Sequence, residues 1–382
     1  MKDGYRVVDA DGHIIEPSGL WHDYIAPEFR DRAPQLEDWA FGVYLDDVEV
    51  NTWAVREPEA TADARAVRKD RILGTYREIY PVAAAREFDA VSRIDDMDIE
   101  GVDAAFLYPS FGLFALADDR VDARLAAAVA RAYNEWLADY CRTSSRRLFP
   151  IAMVPLQDPA AAAREAAYAV GELGHRGVFV RPNPVGGRNW DDPAFDPLWS
   201  TMNELGVPLG LHEGGRPNLP QLGERFENLE QRHICSHPME QMSSCVSLVY
   251  GGVLERFPGL RVVFLEAGCG WVPFWLERMD EHYENGLKRN YGASATLKMR
   301  PSDYFQRQCY VAADADESFL THVIDVLGDE RIVFSTDYPH PDSKFPHAVA
   351  SFLALERVSE ASKRRILWDN ALDLYGVTDV AY

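Results

Sequence analysis

The chain is poor in cysteine and in positive charge, and both shortages narrow its function. Its five cysteines, Cys141, Cys235, Cys245, Cys269 and Cys309, are odd in number and widely spread, with no Cys-x-x-Cys pair. That excludes a disulfide framework and a thiolate zinc site, and it fits a reduced compartment. Cys141 and Cys245 lie on apolar helical patterns and read as small buried hydrophobes. Against 61 acidic residues there are only 39 basic ones, a formal net charge of −22. Nucleic acids and anionic membranes select basic surfaces, so neither is an expected partner. A small anionic organic substrate would need local positive charge, from a metal or an arginine. No apolar run is long enough to span a bilayer, and Met1-Lys2-Asp3-Gly4 leads into a strand without a signal-like region. A cytoplasmic protein is the expectation. Internal repeats, low-complexity tracts and linkers are also missing, which favours one domain over residues 1–382.

What is present is an alternation of short apolar strands and amphipathic helices. Strands are expected near 5–9, 104–108, 149–154, 177–181, 208–212, 261–266, 309–312 and 332–337. Helices are expected near 91–99, 120–142, 159–174, 195–205, 239–257, 271–287, 316–328 and 359–374. Eight strand-then-helix units describe an α/β fold, the (β/α)8 TIM barrel. Local cues agree: Asp158-Pro159 opens an alanine-rich helix, Gly206 closes one, and Phe257-Pro258-Gly259 closes another. Two segments exceed ordinary loops. Residues 14–90, with Trp21, Trp39 and Trp53, follow the first strand, and 213–238, with Gly214, Gly215 and Pro217, follow the fifth. Both would leave the C-terminal face, as a lid, an oligomer contact or packing against the barrel.

That face is where barrel active sites are built, and three strands end in metal-ligand residues. Asp11-Gly12-His13 closes the first, His212 the fifth and Asp337 the eighth. In an extended segment residues i and i+2 share a face, so Asp11 and His13 can grip one cation. Taken singly, Asp11-x-His13 is more often a polar turn and His212 more often a core histidine, and Asp337 could cap a turn. Together they supply two carboxylates and two imidazoles, enough to neutralise a divalent cation and leave positions open. Zinc fits, and the oxygen share makes manganese a competitor.

These residues carry a resemblance. The chain resembles the amidohydrolase superfamily end to end, in the amidohydrolase-related branch containing aminocarboxymuconate-semialdehyde decarboxylase and the resorcylate-type decarboxylases. Its marks are Val8-Asp9-Ala10-Asp11-Gly12-His13, His212, Gly252-Val253-Leu254-Glu255-Arg256-Phe257-Pro258, Phe264-Leu265-Glu266-Ala267-Gly268 and Phe334-Ser335-Thr336-Asp337-Tyr338-Pro339-His340. The resemblance implies a metal-dependent barrel enzyme, often a homodimer, with the metal at strands one, five and eight. It does not imply amide hydrolysis, because the branch includes nonoxidative decarboxylases, hydratases and carbon–carbon hydrolases. Two departures stand out: Asp11 where many members have histidine, and Glu266 where many have the sixth-strand histidine used in acid/base work.

His237 is a candidate replacement acid/base just before the fifth helix, with a cap as the alternative. Glu266 would orient His237 or bind substrate. Arg181, ending the fourth strand, matches a substrate carboxylate bidentately or pairs with an acid. Tyr338 and His340, on the eighth loop, are candidate pocket residues. The leading expectation is a metal-dependent carboxy-lyase of a small carboxylated aromatic or unsaturated acid, with Asp337 or His237 as proton donor. The alternative is a hydrolase using metal-activated water on an ester, amide, lactone or carbon–carbon bond. A noncatalytic metal-binding scaffold is a remote third.

Overall fold

Eight parallel strands form the frame: β1 (Val8–His13), β2 (Ala104–Tyr108), β3 (Leu148–Pro150), β4 (Val178–Val180), β5 (Leu209–Leu211), β6 (Val262–Phe264), β7 (Cys309–Ala313) and β8 (Ile332–Phe334). The computed structural model describes residues 1–38, 41–45, 48–49, 62–213, 222–289 and 296–380. Ladders run β1-β2-β3 and β4-β5-β6-β7-β8. A parallel bridge from Ala152 to Val178 joins the two sets. The β1–β8 seam is held by His13 N–H donating to Tyr338 O at 2.7 Å and by Thr336 N–H donating to Asp9 Oδ1 at 3.1 Å. The expected barrel architecture is therefore present, with the first strand at Val8–His13 rather than 5–9 and the third, fourth, fifth, sixth and eighth strands shorter than expected.

The helices cover the strands because their apolar residues recur every three to four positions. In the helix Ala123–Cys141, Leu125, Val129, Tyr133 and Leu137 are buried, and Asp122 caps its start by accepting from Leu125 N–H at 3.0 Å. Asp158 caps the helix Pro159–Gly171 in the same way, and Gly206 (φ 65°) closes Asp196–Leu205. Cys141 and Cys245 are buried. Inside the barrel, Tyr108 lies across β5, where a Cβ on Gly210 would come within 2.5 Å of its hydroxyl. That hydroxyl meets Tyr375 Oη at 2.9 Å, and Tyr375 donates to Ala10 O at 2.8 Å.

Two expectations are corrected. Residues 229–238 are not loop: a helix runs Leu229–Cys245 with Pro238 inside it, started by Asn228 accepting from Gln231 N–H. The missing N–H of Pro238 is tolerated here within the helix. The seventh helix is also shorter, Leu320–Leu327 rather than 316–328.

The first insertion holds a small antiparallel sheet (Gln35–Asp38, Phe41–Leu45, Val48–Glu49) and the helices Ala62–Ile79 and Pro81–Ala85. Trp21 is fully buried in the main core. Leu73, Tyr76, Tyr80 and Phe88 form a second apolar cluster around Ile15 and Tyr338. Tyr80 Oη donates to His340 O at 3.0 Å, so the insertion clamps the loop after β8. Trp39, Trp53, Gly214, Gly215 and Pro217 lie outside the described residues.

Candidate metal centre

The first ligand motif is shaped by a bulge. In the β1–β2 register Asp9 faces Ala105 but Gly12 faces Leu107, one extra residue on β1. A bulge changes which way the following side chains point. Asp9 turns to the seam, where its Oδ2 accepts from Thr336 Oγ1–H at 2.5 Å and stands 3.7 Å from Arg93 Nη2. Asp11 and His13 turn to the barrel mouth. Gly12 is required by this packing, since a Cβ there would lie 2.6 Å from Arg93 Nη2 and 2.7 Å from Asp9 Oδ2. Arg93 Nη1 also donates to His13 O at 2.6 Å.

His13 Nδ1 meets Pro109 O at 2.8 Å, and His212 Nδ1 meets Glu213 O at 3.0 Å. A carbonyl only accepts, so both Nδ1 atoms carry hydrogen and, in the neutral rings, the Nε2 atoms keep their lone pairs. At His212 burial opposes a charge on the ring, but the Glu266 carboxylate beside Nε2 outweighs it and raises the pKa. The two Nε2 atoms face each other at 3.1 Å. Asp11 Oδ1 lies 3.8 Å from His212 Nε2 and 4.0 Å from His13 Nε2, and it is buried without a hydrogen-bond partner. Two lone pairs and an orphaned carboxylate oxygen repel unless a cation sits among them. Neighbouring donors on a cation with bonds of ~2.1 Å stand ~3 Å apart, which the imidazole pair matches. Asp11, His13 and His212 thus fit a divalent metal, and all three are buried. Burial raises the Asp11 carboxyl well above its usual range, and burial with the neighbouring His340 and His212 holds His13 well below it, a neutral ligand.

Asp337 joins through His13, its Oδ1 3.8 Å from His13 Nε2 and 2.7 Å from His340 Nδ1. It belongs to a second group, His13, Asp337 and His340, that shares His13 with the first. Burial pushes the Asp337 carboxyl up to about 6. Burial works against a charged His340, but the Asp337 carboxylate outweighs it and lifts the imidazole to about 10. His340 also packs tilted against His13, with centroids 4.1 Å apart, and meets Ser110 Oγ through Nε2 at 3.1 Å. Asp337 (φ 57°) and Glu266 (φ 49°) both sit just past their strands in left-handed backbone, a conformation that costs about 1–3 kcal/mol and concentrates at functional sites.

Glu266 bridges two histidines, Oε2 2.9 Å from His212 Nε2 and Oε1 3.5 Å from His237 Nε2. Burial opposes charge on His237, but Glu266 prevails and lifts it to about 9. His237 lies inside the helix rather than ahead of it, so the capping alternative falls. His237, Glu266 and Asp337 line one cavity of 520 Å³ together with His233, Asp314 and Lys344. Asp314 was missed by the sequence reading, although it follows β7 as Asp337 follows β8; burial pushes it up to about 7. Arg93 was missed because its role depends on Asp9 and two carbonyls distant in sequence.

Tyr338 is placed differently from expectation, and Arg181 takes the acid-pairing alternative. Tyr338 does not line the pocket: it is buried in the second cluster, donates to Asp96 Oδ2 at 2.6 Å and lies under Arg93. Arg181 does not offer its fork to a substrate. Its Nη2 is paired with Asp119 and donates to Pro184 O, and its Nη1 donates to Ala117 O.

This barrel with ligands at its C-terminal mouth is that of a metal-dependent amidohydrolase-type protein, and the sequence model of the amidohydrolase family matches residues 8–377. The chain belongs to that family. It is 25% identical over 293 residues to 2-amino-3-carboxymuconate-6-semialdehyde decarboxylase of Dictyostelium discoideum, covering 75% of each. It is 31% identical over 271 residues to gamma-resorcylate decarboxylase of Rhodococcus jostii, covering 65% of this chain and 77% of the relative. Among solved structures it is similar to 5-carboxyvanillate decarboxylase of Novosphingobium aromaticivorans, complexed with manganese and 4-hydroxy-3-methoxy-5-nitrobenzoic acid. That likeness has a TM-score of 0.71 at 21% identity and covers 98% and 97% of the two chains. No helix among the described residues is long and apolar enough to cross a membrane.

Proposed function

We propose that this chain is a metal-dependent, nonoxidative carboxy-lyase of a small carboxylated aromatic acid. The observation that carries the reading is the facing pair His13 Nε2 and His212 Nε2 beside the orphaned Asp11 Oδ1, at the mouth of the barrel. The relatives act as decarboxylases by name, and one neighbour carries manganese. Asp11, His13 and His212, with Asp337, would hold the cation, manganese in preference to zinc because two of the four donors are carboxylates. When bound, it supplies positive charge for the substrate carboxylate and a neighbouring oxygen.

The protein groups handle the proton. Asp337 protonates the ring carbon that bears the carboxylate; the carbon–carbon bond then breaks, its electron pair returns to the ring, and CO2 leaves. His340 Nδ1, 2.7 Å from Asp337 Oδ1, restores the proton. Glu266 orients His237 beside the same cavity, where the imidazolium offsets the surrounding acids and attracts an anion. The enzyme is one catalytic domain, and its subunits pair as a cytoplasmic homodimer. Exposed Phe274, Phe319 and Val326, on or beside the helices Val272–Arg289 and Leu320–Leu327, support a protein contact.

The test uses protein stripped with a chelator, reloaded with manganese and offered carboxylated phenols in 18O-labelled water. Release of CO2 with no label in the aromatic product supports the reading. Labelled carboxylate in a product would overturn it in favour of hydrolysis.

A further inference from the structure

The ladder between β5 and β6 stops just short of the site. Its last paired residues are Leu211 and Phe264, and Leu265 N–H still donates to Leu211 O at 3.1 Å. His212 and Glu266 come next on the two strands, and Glu266 turns away in left-handed backbone. Where a ladder ends, a buried carbonyl needs another donor. Gln241 supplies it: its Nε2 donates to Leu211 O at 2.7 Å and to Leu265 O at 3.0 Å. We infer that Gln241 is a positioning residue, which clasps the backbone beneath His212 and Glu266 from the helix carrying His237 and so sets the carboxylate bridge between the two histidines.

Placement gives it the reach. Gln241 lies four residues after His237 in the helix Leu229–Cys245, so the two side chains share one helix face. One amide therefore ties the element that bears His237 to the two strand ends that bear its neighbours. The bridge it governs has little slack. Glu266 Oε2 stands 2.9 Å from His212 Nε2, but Oε1 stands 3.5 Å from His237 Nε2, at the outer limit of a hydrogen bond. A small shift of β6 against the helix opens that contact.

The choice of residue points the same way. Gln241 is fully buried, and its Oε1 has no hydrogen-bond partner. Both atoms it faces at the strand ends are carbonyl oxygens, so only the NH2 can turn toward them. An unpaired buried amide oxygen is a cost that an apolar side chain of the same length would avoid. What the glutamine adds in return is the pair of bonds.

The inference goes beyond the carboxy-lyase reading, and its test reads an imidazole rather than turnover, so either can fail while the other stands. His237 is influenced by Glu266, Glu213 and Asp337 and packs edge-on against His233, with Glu266 the largest of the charges acting on it. Histidine NMR titration of the zinc-loaded full chain compares the parent with Gln241→Met, which keeps the length and cannot donate. The His237 pKa is expected to fall from about 9 toward the ordinary 6.5 as Glu266 drifts from the ring. In a Glu266→Gln background the same substitution should change nothing further, because the group it acts through is already gone. Gln241→Asn, one methylene too short to hold both carbonyls, should reproduce the fall and decides if Gln241→Met does not fold. An unchanged His237 pKa in the folded variant, or an equal fall in the Glu266→Gln background, overturns the inference.

Discussion

The Nε2 atoms of His13 and His212 face each other across 3.1 Å, while their Nδ1 hydrogens are spent on the carbonyls of Pro109 and Glu213. A fixed tautomer and a fixed ring plane turn two core histidines into a pair of ready donors. His212→Ala should therefore weaken manganese binding by more than the ~10–100-fold seen for partners outside the ligand shell. Titration of the chelator-stripped protein with manganese measures this; unchanged affinity would remove His212 from the site.

Gly12 is a steric requirement of the same motif. Gly12→Ala drives a Cβ into Arg93 and Asp9, and overpacking of that kind costs about 1–3 kcal/mol. Gly74 is exposed in the helix Ala62–Ile79 with nothing within 4 Å of its Cβ position, so Gly74→Ala should stabilise by about 0.5–1 kcal/mol. Denaturant unfolding of the two variants gives opposite signs if this packing is right.

Glu266 holds the charge on His237. Glu266→Gln should lower the His237 pKa from about 9, because burial then acts without its main opponent. Histidine NMR titration of the zinc-loaded protein reads the shift directly. A His237 signal that titrates unchanged would separate the two residues functionally.

Glu16 supports the loop that fixes His13. Its oxygens accept from Phe111 N–H at 2.9 Å and Gly112 N–H at 2.8 Å, and burial pushes its pKa from 4.5 to about 7. The folded state binds this proton more tightly than the unfolded one. Its contribution to stability is full below pH 4.5 and is lost as pH rises toward 7, by roughly 3 kcal/mol. In Glu16→Gln the pH slope of unfolding free energy over that window should be smaller than in the parent; an equal slope would assign the effect elsewhere.

The barrel was legible because each strand is a short apolar run and each helix shows its own period, signals carried by neighbouring residues. Asp11, His13, His212 and Asp337 were legible for a related reason: barrel topology brings strand ends to one rim whatever lies between them. The places of Arg181 and Tyr338 depend on partners that no local pattern reveals. Arg181 was committed by Asp119, from a loop two strands earlier, and Tyr338 by Asp96 and the cluster around Tyr80. The bulge at Asp9 to Gly12 is set by pairing with β2, and so was the separation of Asp9 from Asp11. The fifth helix was expected from 239, whereas Asn228 caps its start ten residues earlier.

The central claim is proton delivery from Asp337 to the carbon that loses CO2. The direct measurement is turnover of a carboxylated phenol by the manganese-loaded protein in D2O, in wild type and in Asp337→Asn. The account predicts one deuterium at the vacated ring carbon for each CO2 released, and a loss of roughly 10²–10⁴-fold in kcat for Asp337→Asn with the fold retained. Full activity in that variant, or product formed without deuterium at that carbon, would contradict it.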